Sequence, residues 1–374
     1  MTVDSKTYAR TPPLPPPPGR GVAAITNPAG RPQPSHRRML IAGPAVAIVS
    51  ILAALLTTDA AGLPLRDPDH VAGRRSAMVL CLVAVLIGLD VLGRAGRRSR
   101  TLRPSRAAIE SVRRERWTLP RGVLVGSALI SFYVTYLSYR NLKSVVPLLR
   151  PGDLFDRHLA DLDRTMFGGR DPAALLHDLL GTGAQAHVLS GAYMLFFAFI
   201  PGTLAFALVF SRNLQSGLLY VTAQSINWLL AAASYFLLPA LGPVYAEPAA
   251  FADLPTSAVT QLQDLLLDQR LEFLRDPASG TAQSIGAFSS LHVSFFFTAA
   301  LAAHLLGLAR AIRIGAWILL GLTTVATIYL GWHYIVDDLG GLVIGAMAIA
   351  LARALTGLDL GSARGPSTPK APPA

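Results

Sequence analysis

Two cations, Lys143 and Arg150, stand seven residues apart in the segment KSVVPLLRP. Because arginine suits bidentate contacts to phosphate and lysine acts as a point charge, the pair could converge on one anion. Both residues also follow an apolar run, where snorkelling side chains are common. The pair therefore indicates phosphate chemistry only in combination with other residues.

Two histidines further along the chain have partners at useful spacings. Ser290 and His292 precede an apolar run, so a hydroxyl and an imidazole at a helix N-terminus could bind phosphate together with backbone N–H groups. The alternative is a plain N-cap and an interfacial histidine. His333 and Asp337 are four residues apart and share one face of a helical turn. A carboxylate that fixes one ring nitrogen leaves the other as a nucleophile or base, although an ordinary ion pair is the alternative.

The composition excludes an ordinary cytosolic protein. Only 15% of the 374 residues are charged and 52% are hydrophobic, whereas soluble domains carry roughly 25% charged residues. The mean hydropathy is +0.45, and a disordered chain would be poor in apolar residues. The single cysteine, Cys81, excludes an intrachain disulfide and a cysteine-based zinc site.

Apolar runs near 20 residues long predict an all-α polytopic membrane protein. The eight runs lie at about 39–57, 77–93, 122–140, 186–210, 215–238, 292–308, 314–331 and 336–354. The Pro-rich basic segment 1–38 and the segment 355–374 are expected to be disordered tails.

Charge sets the expected orientation in the membrane. Ten arginines between 94 and 121 are accompanied by only two glutamates, and arginines close to spans stay cytoplasmic. Arg212, in a later short loop, agrees with this assignment. Both termini are therefore expected in the cytoplasm and all three motif groups at the extracytoplasmic face. Since the net charge of +11 is explained by topology, we expect membrane lipids and no nucleic acid as partners.

The extracytoplasmic segment 151–185 has a helical periodicity of its own. Leucines recur at helical spacing in both of its halves, which predicts short amphipathic helices on the membrane surface. Gly168-Gly169 and Asp171-Pro172 separate the halves.

Three patterns follow one another along the chain: Lys-x6-Arg-Pro, Ser-x-His and His-x3-Asp. In this order they resemble the three motifs of the type 2 phosphatidic acid phosphatase superfamily. Residues 143–151 match the first motif in full. Ser289 and Leu291 replace the usual Pro and Gly of the second motif, Thr327 replaces the third-motif arginine, and Ala326 replaces the serine before it. These departures are closer to the inositol phosphorylceramide synthase-like branch, where Ser-Leu-His and His-Tyr-x-x-Asp forms occur.

The resemblance covers about 122–354 and implies a six-helix phosphatase-type core there, preceded by two extra spans and an Arg-rich loop over 39–121. It implies phosphoryl transfer on a lipid phosphate through a phosphohistidine, with no metal and no cofactor. The resemblance implies that His333 is the nucleophile, that Asp337 orients its ring and that His292 protonates the leaving oxygen. It also implies that Lys143, Arg150 and Ser290 bind the phosphate.

Thr327 and Asp338 are secondary candidates. The Thr327 hydroxyl can donate a hydrogen bond to a phosphoryl oxygen but cannot neutralise charge. A site without the third-motif arginine should suit a phosphodiester better than a doubly charged monoester. This preference favours a transferase. Asp338 points about 100° away from Asp337 on a helix.

The favoured function is an inositol phosphorylceramide synthase-like phosphotransferase with a hydroxyl acceptor. The high Ala, Gly and Arg usage is typical of a high-GC bacterium, so we expect this integral membrane protein in a bacterial plasma membrane. With water as acceptor, the alternative is a phosphatase of phosphatidic acid or polyprenyl phosphate. Vanadate-dependent haloperoxidases use a similar constellation but are soluble, and a non-catalytic transporter or scaffold would require the motifs to be accidental.

Overall fold

The computed structural model describes residues 36–67, 70–211 and 213–358, and every regular element within these ranges is helical. The predicted all-α membrane architecture is confirmed. Most of the two predicted tails and Arg212 lie outside the described residues.

The helices follow one another along the chain with short connections. They are α1 (His36–Ala60), α2 (Val71–Ser99), α3 (Arg106–Arg116), α4 (Leu119–Leu149), α5 (Asp156–Met166), α6 (Pro172–Leu180), α7 (Ala184–Met194), α8 (Phe196–Phe210), α9 (Leu214–Leu237), α10 (Pro243–Ala246), α11 (Ala258–Arg275), α12 (Leu291–Leu305), α13 (Arg310–Tyr329) and α14 (Ile335–Thr356), with a 3-10 helix at Pro248–Phe251.

All eight predicted apolar runs are helical, and six stretches of the described chain are long and apolar enough to cross a membrane. These six are Arg37–Ala60, Gly73–Ser99, Leu119–Leu149, Ala184–Phe210, Arg310–Tyr329 and Ile335–Thr356. The run predicted as one helix over 186–210 consists of two helices, α7 and α8, which meet at Leu195.

The remaining two predicted spans, α9 and α12, differ from the six in length or polarity. α12 has 15 residues, about 22 Å at 1.5 Å per residue. α9 has 24 residues but carries buried amides at its centre. Asn227 donates to Thr298 of α12 (2.9 Å) and accepts from the Ser294 hydroxyl (2.8 Å). These interhelical hydrogen bonds satisfy polar groups that lipid could not.

α9 forms the centre of the bundle and packs against α4, α8, α12 and α14. Its Trp228 ring lies 4.5 Å from Tyr139 of α4 and 4.6 Å from Phe295 of α12, measured between centroids. Close aromatic packing of this kind fixes the spacing of the helices that carry the motif residues.

The arginine-rich segment and the three motif groups lie at opposite ends of the bundle. Arg116 of α3 donates to Asp90 of α2 at 2.6 Å and to the Val209 carbonyl near the end of α8 at 2.9 Å. Lys143 comes 24 residues after Leu119, where α4 begins, which is about 36 Å along the helix. The connection between α1 and α2 returns to the Lys143 end, where the Arg66 N–H donates to Asn141.

The predicted short helices in 151–185 are present as α5 and α6. The connection between α9 and α12 contains α10, the 3-10 helix and the 18-residue α11. All of these elements lie at the motif end of the bundle, since they contact the beginnings of α12 and α14 or the end of α13. Their position on a membrane surface stays a prediction.

Candidate active site

A cavity of about 320 Å³ lies at the motif end of the bundle, between α4, α12 and the connection from α13 to α14. Lys143, His292 and His333 all contribute to its wall, so one residue from each sequence group reaches the same space. Much of the remaining wall is aromatic, and it includes Tyr136, Tyr139, Tyr193, Trp228, Tyr235 and Trp332.

His333 lies in the short connection between α13 and α14. Its backbone N–H and that of Trp332 donate to the Thr327 carbonyl at 3.3 and 2.9 Å. Gly331 turns the chain with a φ of 72°, and a Cβ at this position would lie 2.6 Å from the Phe251 ring. The turn therefore requires glycine. It fixes the His333 side chain at the cavity wall, where the residue is 6% exposed.

The surroundings of His333 favour a neutral imidazole. Burial lowers the pKa of His333 to about 4, the charge of Asp338 opposes this shift, and the nearby Lys143 adds to it. Asp337 Oδ2 lies 3.4 Å from His333 Nδ1, which is loose for a hydrogen bond, as is common before substrate binds. A neutral ring held at Nδ1 offers Nε2 as the nucleophile.

Two neighbouring aspartates at the start of α14 have separate partners. Asp337 Oδ2 accepts the Tyr334 N–H at 2.9 Å, and the Asp337 carbonyl accepts the Ser290 N–H at 2.9 Å. Asp338 Oδ2 accepts the Thr327 hydroxyl at 3.0 Å, and the Ser290 side chain lies beside the same carboxyl group. Ser290, Thr327 and Asp338 thus form a polar cluster that ties the start of α12 to α13 and α14.

Neither Ser290 nor Thr327 lines the cavity, and both are fully buried. The Ser290 hydroxyl accepts the Val293 N–H at 3.4 Å, so this residue occupies the N-cap position that the sequence offered as an alternative. The predicted phosphate contacts of Ser290 and Thr327 stay predictions.

His292 is held between aromatic rings. It stacks on Tyr193 at 4.0 Å and lies 4.0 Å from Phe196, and its ring centroid is 6.5 Å from that of His333. Its Nε2 is buried and has no hydrogen-bond partner among the described residues. A buried nitrogen in this state has capacity for a ligand.

The two cations of the first motif occupy different environments. Lys143 Nζ lies 4.6 Å over the Tyr235 ring, and within the described ranges no carboxylate is within ion-pair distance of it. Arg150 instead pairs with Asp153 at 2.8 Å and donates to the Phe236 carbonyl. It lines a neighbouring cavity of about 260 Å³. The structure therefore brings Lys143, but not Arg150, to the histidine cavity.

Two further arginines reach this cavity from positions that the sequence analysis did not select. Arg140 precedes Lys143 by three residues on α4, and this spacing places both residues on one helix face. The spacing could therefore have identified Arg140 from the sequence. Arg140 pairs with Asp67 at 3.3 Å. Arg75 comes from α2, where it donates to the Tyr136 hydroxyl at 2.5 Å. No local pattern connects Arg75 with Lys143, because their proximity depends on how α2 packs.

Two buried aspartates of α5 hold the backbone around the site. Asp163 accepts the N–H groups of Ile335 and Val336 at 2.8 and 3.2 Å and so caps α14, the helix that carries Asp337 and Asp338. Burial raises the pKa of Asp163, and these two N–H groups oppose that shift. Asp156 accepts from the backbone of Leu241 and Gly242. Asp156 and Asp163 are seven residues apart, and this spacing in the sequence indicates that they lie on one face of a helix.

A family model described as the PAP2 superfamily matches residues 157–351, just over half of the chain. The chain belongs to this superfamily. Members are generally phosphatases or phosphotransferases that act on lipid phosphates. No curated protein and no solved structure matches the chain.

The match to the PAP2 superfamily divides the candidate site. His292, His333 and Asp337 fall inside it, whereas Lys143, Arg150 and all of α1 to α4 precede it. Within the described part of the chain, no group of three or more His, Cys, Asp or Glu residues is arranged to hold a metal ion.

Proposed function

We propose that this PAP2 protein transfers a phosphoryl group from a lipid phosphate through a phosphohistidine at His333, as an inositol phosphorylceramide synthase-like phosphotransferase. The observation that carries this proposal is the single cavity shared by the buried neutral His333, the unpartnered His292 Nε2 and the unpaired Lys143.

The proposed first step forms the covalent intermediate. His333 Nε2 attacks phosphorus as the P–O bond to the lipid alcohol breaks. The leaving oxygen takes a proton from His292, which the negative charge of the bound phosphate keeps in its protonated form. The ring centroids of His333 and His292 are 6.5 Å apart at the same cavity, so both rings can approach one phosphoryl group. Lys143 stabilises the charge that develops on the phosphoryl oxygens.

The second step regenerates the enzyme. An acceptor hydroxyl gives its proton to the now neutral His292 and attacks phosphorus, and the N–P bond to His333 breaks. Asp337 stabilises the positive ring of the intermediate from the Nδ1 side. A lipid alcohol as acceptor gives a transferase, and water gives a phosphatase.

The neighbouring cavity supports a phosphodiester donor. Arg150, Arg270 and Gln283 contribute polar groups to it, and it shares Tyr235 and Gly286 with the histidine cavity. A polar headgroup that stays on phosphorus during transfer would fit this space. Thr327 lies behind the cavity wall, and Arg75 and Arg140 reach the cavity, so this preference depends on the neighbouring cavity and not on the replacement of the third-motif arginine.

The test is an assay of purified protein in EDTA against a panel of lipid phosphomonoesters and phosphodiesters, with and without hydroxyl acceptors. We expect a diester donor to be consumed only when an acceptor is present, and His333→Ala to abolish the reaction. Release of inorganic phosphate from monoesters without an acceptor would instead identify a phosphatase. No turnover of any lipid by folded protein would contradict both functions.

We further propose that the site faces the extracytoplasmic side, because the arginine-rich α3 is at the other end of the bundle. Leu265 of α11 is exposed and lines the cavity. In a Cys81→Ser background, Leu265→Cys should react with an impermeant maleimide in intact cells. Reaction only after permeabilisation would place the site in the cytoplasm.

A further inference from the structure

A second, apolar cavity of about 260 Å³ adjoins the histidine cavity. The two share five wall residues, Arg75, Tyr136, Phe196, Phe197 and Trp228, so they lie side by side. The second cavity runs between α2, α4 and α8, and its wall is almost entirely hydrocarbon and aromatic. We refer to it as the α2 groove.

The α2 groove is open at the surface that would face lipid. Met78 and Leu80 of α2 and Ile130 of α4 line it and are each more than half exposed. Along α4 its wall extends from Leu129 to Tyr136, about 10 Å at 1.5 Å per residue. This is about a third of the ~30 Å hydrocarbon thickness of a bilayer. The groove therefore has the reach of the headgroup-proximal part of a lipid chain.

Arg75 marks the boundary between the polar and apolar spaces. Its guanidinium donates to the Tyr136 hydroxyl and lies 5.3 Å over the Phe197 ring. No carboxylate of the described chain pairs with it. A cation held by aromatic groups keeps donors available for the oxygen atoms of a ligand. An arginine in this position complements an anionic lipid whose chain lies in the groove.

We propose that the α2 groove receives the hydrocarbon chain of the lipid phosphate substrate, and that Arg75 donates to the headgroup oxygens where headgroup and chain join. This proposal rests on the proposed function, and it identifies the part of the protein that selects a lipid substrate. α2 precedes the region that matches the PAP2 superfamily, so one of the two extra N-terminal spans acquires a role in substrate binding.

The test compares kcat/KM for a long-chain lipid phosphate with that for a short-chain, water-soluble analogue that has the same headgroup. Met78→Trp and Ile130→Trp fill the groove from its two sides. Each should lower kcat/KM for the long-chain lipid by about tenfold, the loss of about 1.4 kcal/mol of binding, and leave the short-chain value unchanged. Val85→Trp, an equally exposed position on α2 outside the groove, is the matched control.

Arg75→Gln should lower kcat/KM for both substrates, whereas Arg74→Gln, its exposed neighbour outside both cavities, should lower neither. Equal losses for both chain lengths in the two tryptophan variants, or no loss in either, would overturn the groove assignment. Wild-type rates in Arg75→Gln would overturn the arginine contact. An inactive wild type, or an active His333→Ala, would instead contradict the proposed function, so the two failures are distinguishable.

Discussion

The two sides of the histidine cavity are built differently. On the side of α12 and α14, which matches the PAP2 superfamily, charged groups are fixed by hydrogen bonds: Asp163 caps α14, and Asp338 binds Thr327. On the side of α2 and α4, which precedes the match, Lys143 and Arg75 rest against aromatic rings without a carboxylate. In the proposed mechanism, the first arrangement positions the reacting groups, and the second leaves positive charge available for a substrate.

The largest expected effect is on the fixed side. His333→Ala removes the nucleophile and should lower kcat by at least about 10⁴-fold. Asp337→Asn keeps the shape but weakens the support of Nδ1, so we expect a loss of about 10²-fold. Single-turnover rates with a labelled lipid phosphate would measure both. Equal losses would mean that Asp337 does more than orient the ring, and wild-type rates in His333→Ala would refute the mechanism.

The next largest effect distinguishes the two cations of the first motif. Lys143→Gln removes the unpaired charge in the cavity and should lower kcat/KM by about 10²–10³-fold. Arg150→Gln, at a residue already paired with Asp153, should cost about tenfold. Steady-state kinetics with one lipid phosphate gives both values. A larger loss for Arg150→Gln would show that Arg150 moves into the histidine cavity when substrate binds.

Much of this arrangement could be predicted from the sequence. Apolar runs locate the helices because lipid requires about 20 apolar residues per span, and the resemblance of the three motifs to those of the superfamily implies one site for Lys143, His292 and His333. The contribution of Arg75 could not be predicted, since it depends on the packing of α2 against α4 and α8. The pairing of Arg150 with Asp153 and the Phe236 carbonyl likewise depends on the chain conformation after α4.

A smaller effect is expected where a carboxylate supports the site from a distance. Asp163→Ala leaves the Ile335 and Val336 N–H groups without their acceptor, which should destabilise the start of α14 by about 2 kcal/mol. Asp161→Ala, an exposed position on the same helix with a loose ion pair to Arg164, should change stability by less than about 0.5 kcal/mol. Thermal unfolding in detergent would measure both. Equal destabilisation would indicate that Asp163 has no capping role.

The smallest effect concerns the pH dependence of the rate. Because burial lowers the pKa of His333 to about 4, the nucleophile stays neutral as the pH falls from 7 to 5. The rate should then fall as the pH passes through 4. A profile of kcat/KM between pH 3.5 and 8 would show this, and an acidic limb near 6.5, the ordinary histidine value, would contradict it.

The most direct test of the central claim is to trap the covalent intermediate. A lipid phosphodiester labelled with ³²P at phosphorus is mixed with purified protein in EDTA, quenched in base and analysed by peptide mapping. We expect an acid-labile, base-stable label on His333 that is absent from His333→Ala and disappears when a hydroxyl acceptor is added. Label on another residue, or turnover with a labelled product but no labelled protein in a rapid-quench series, would contradict it.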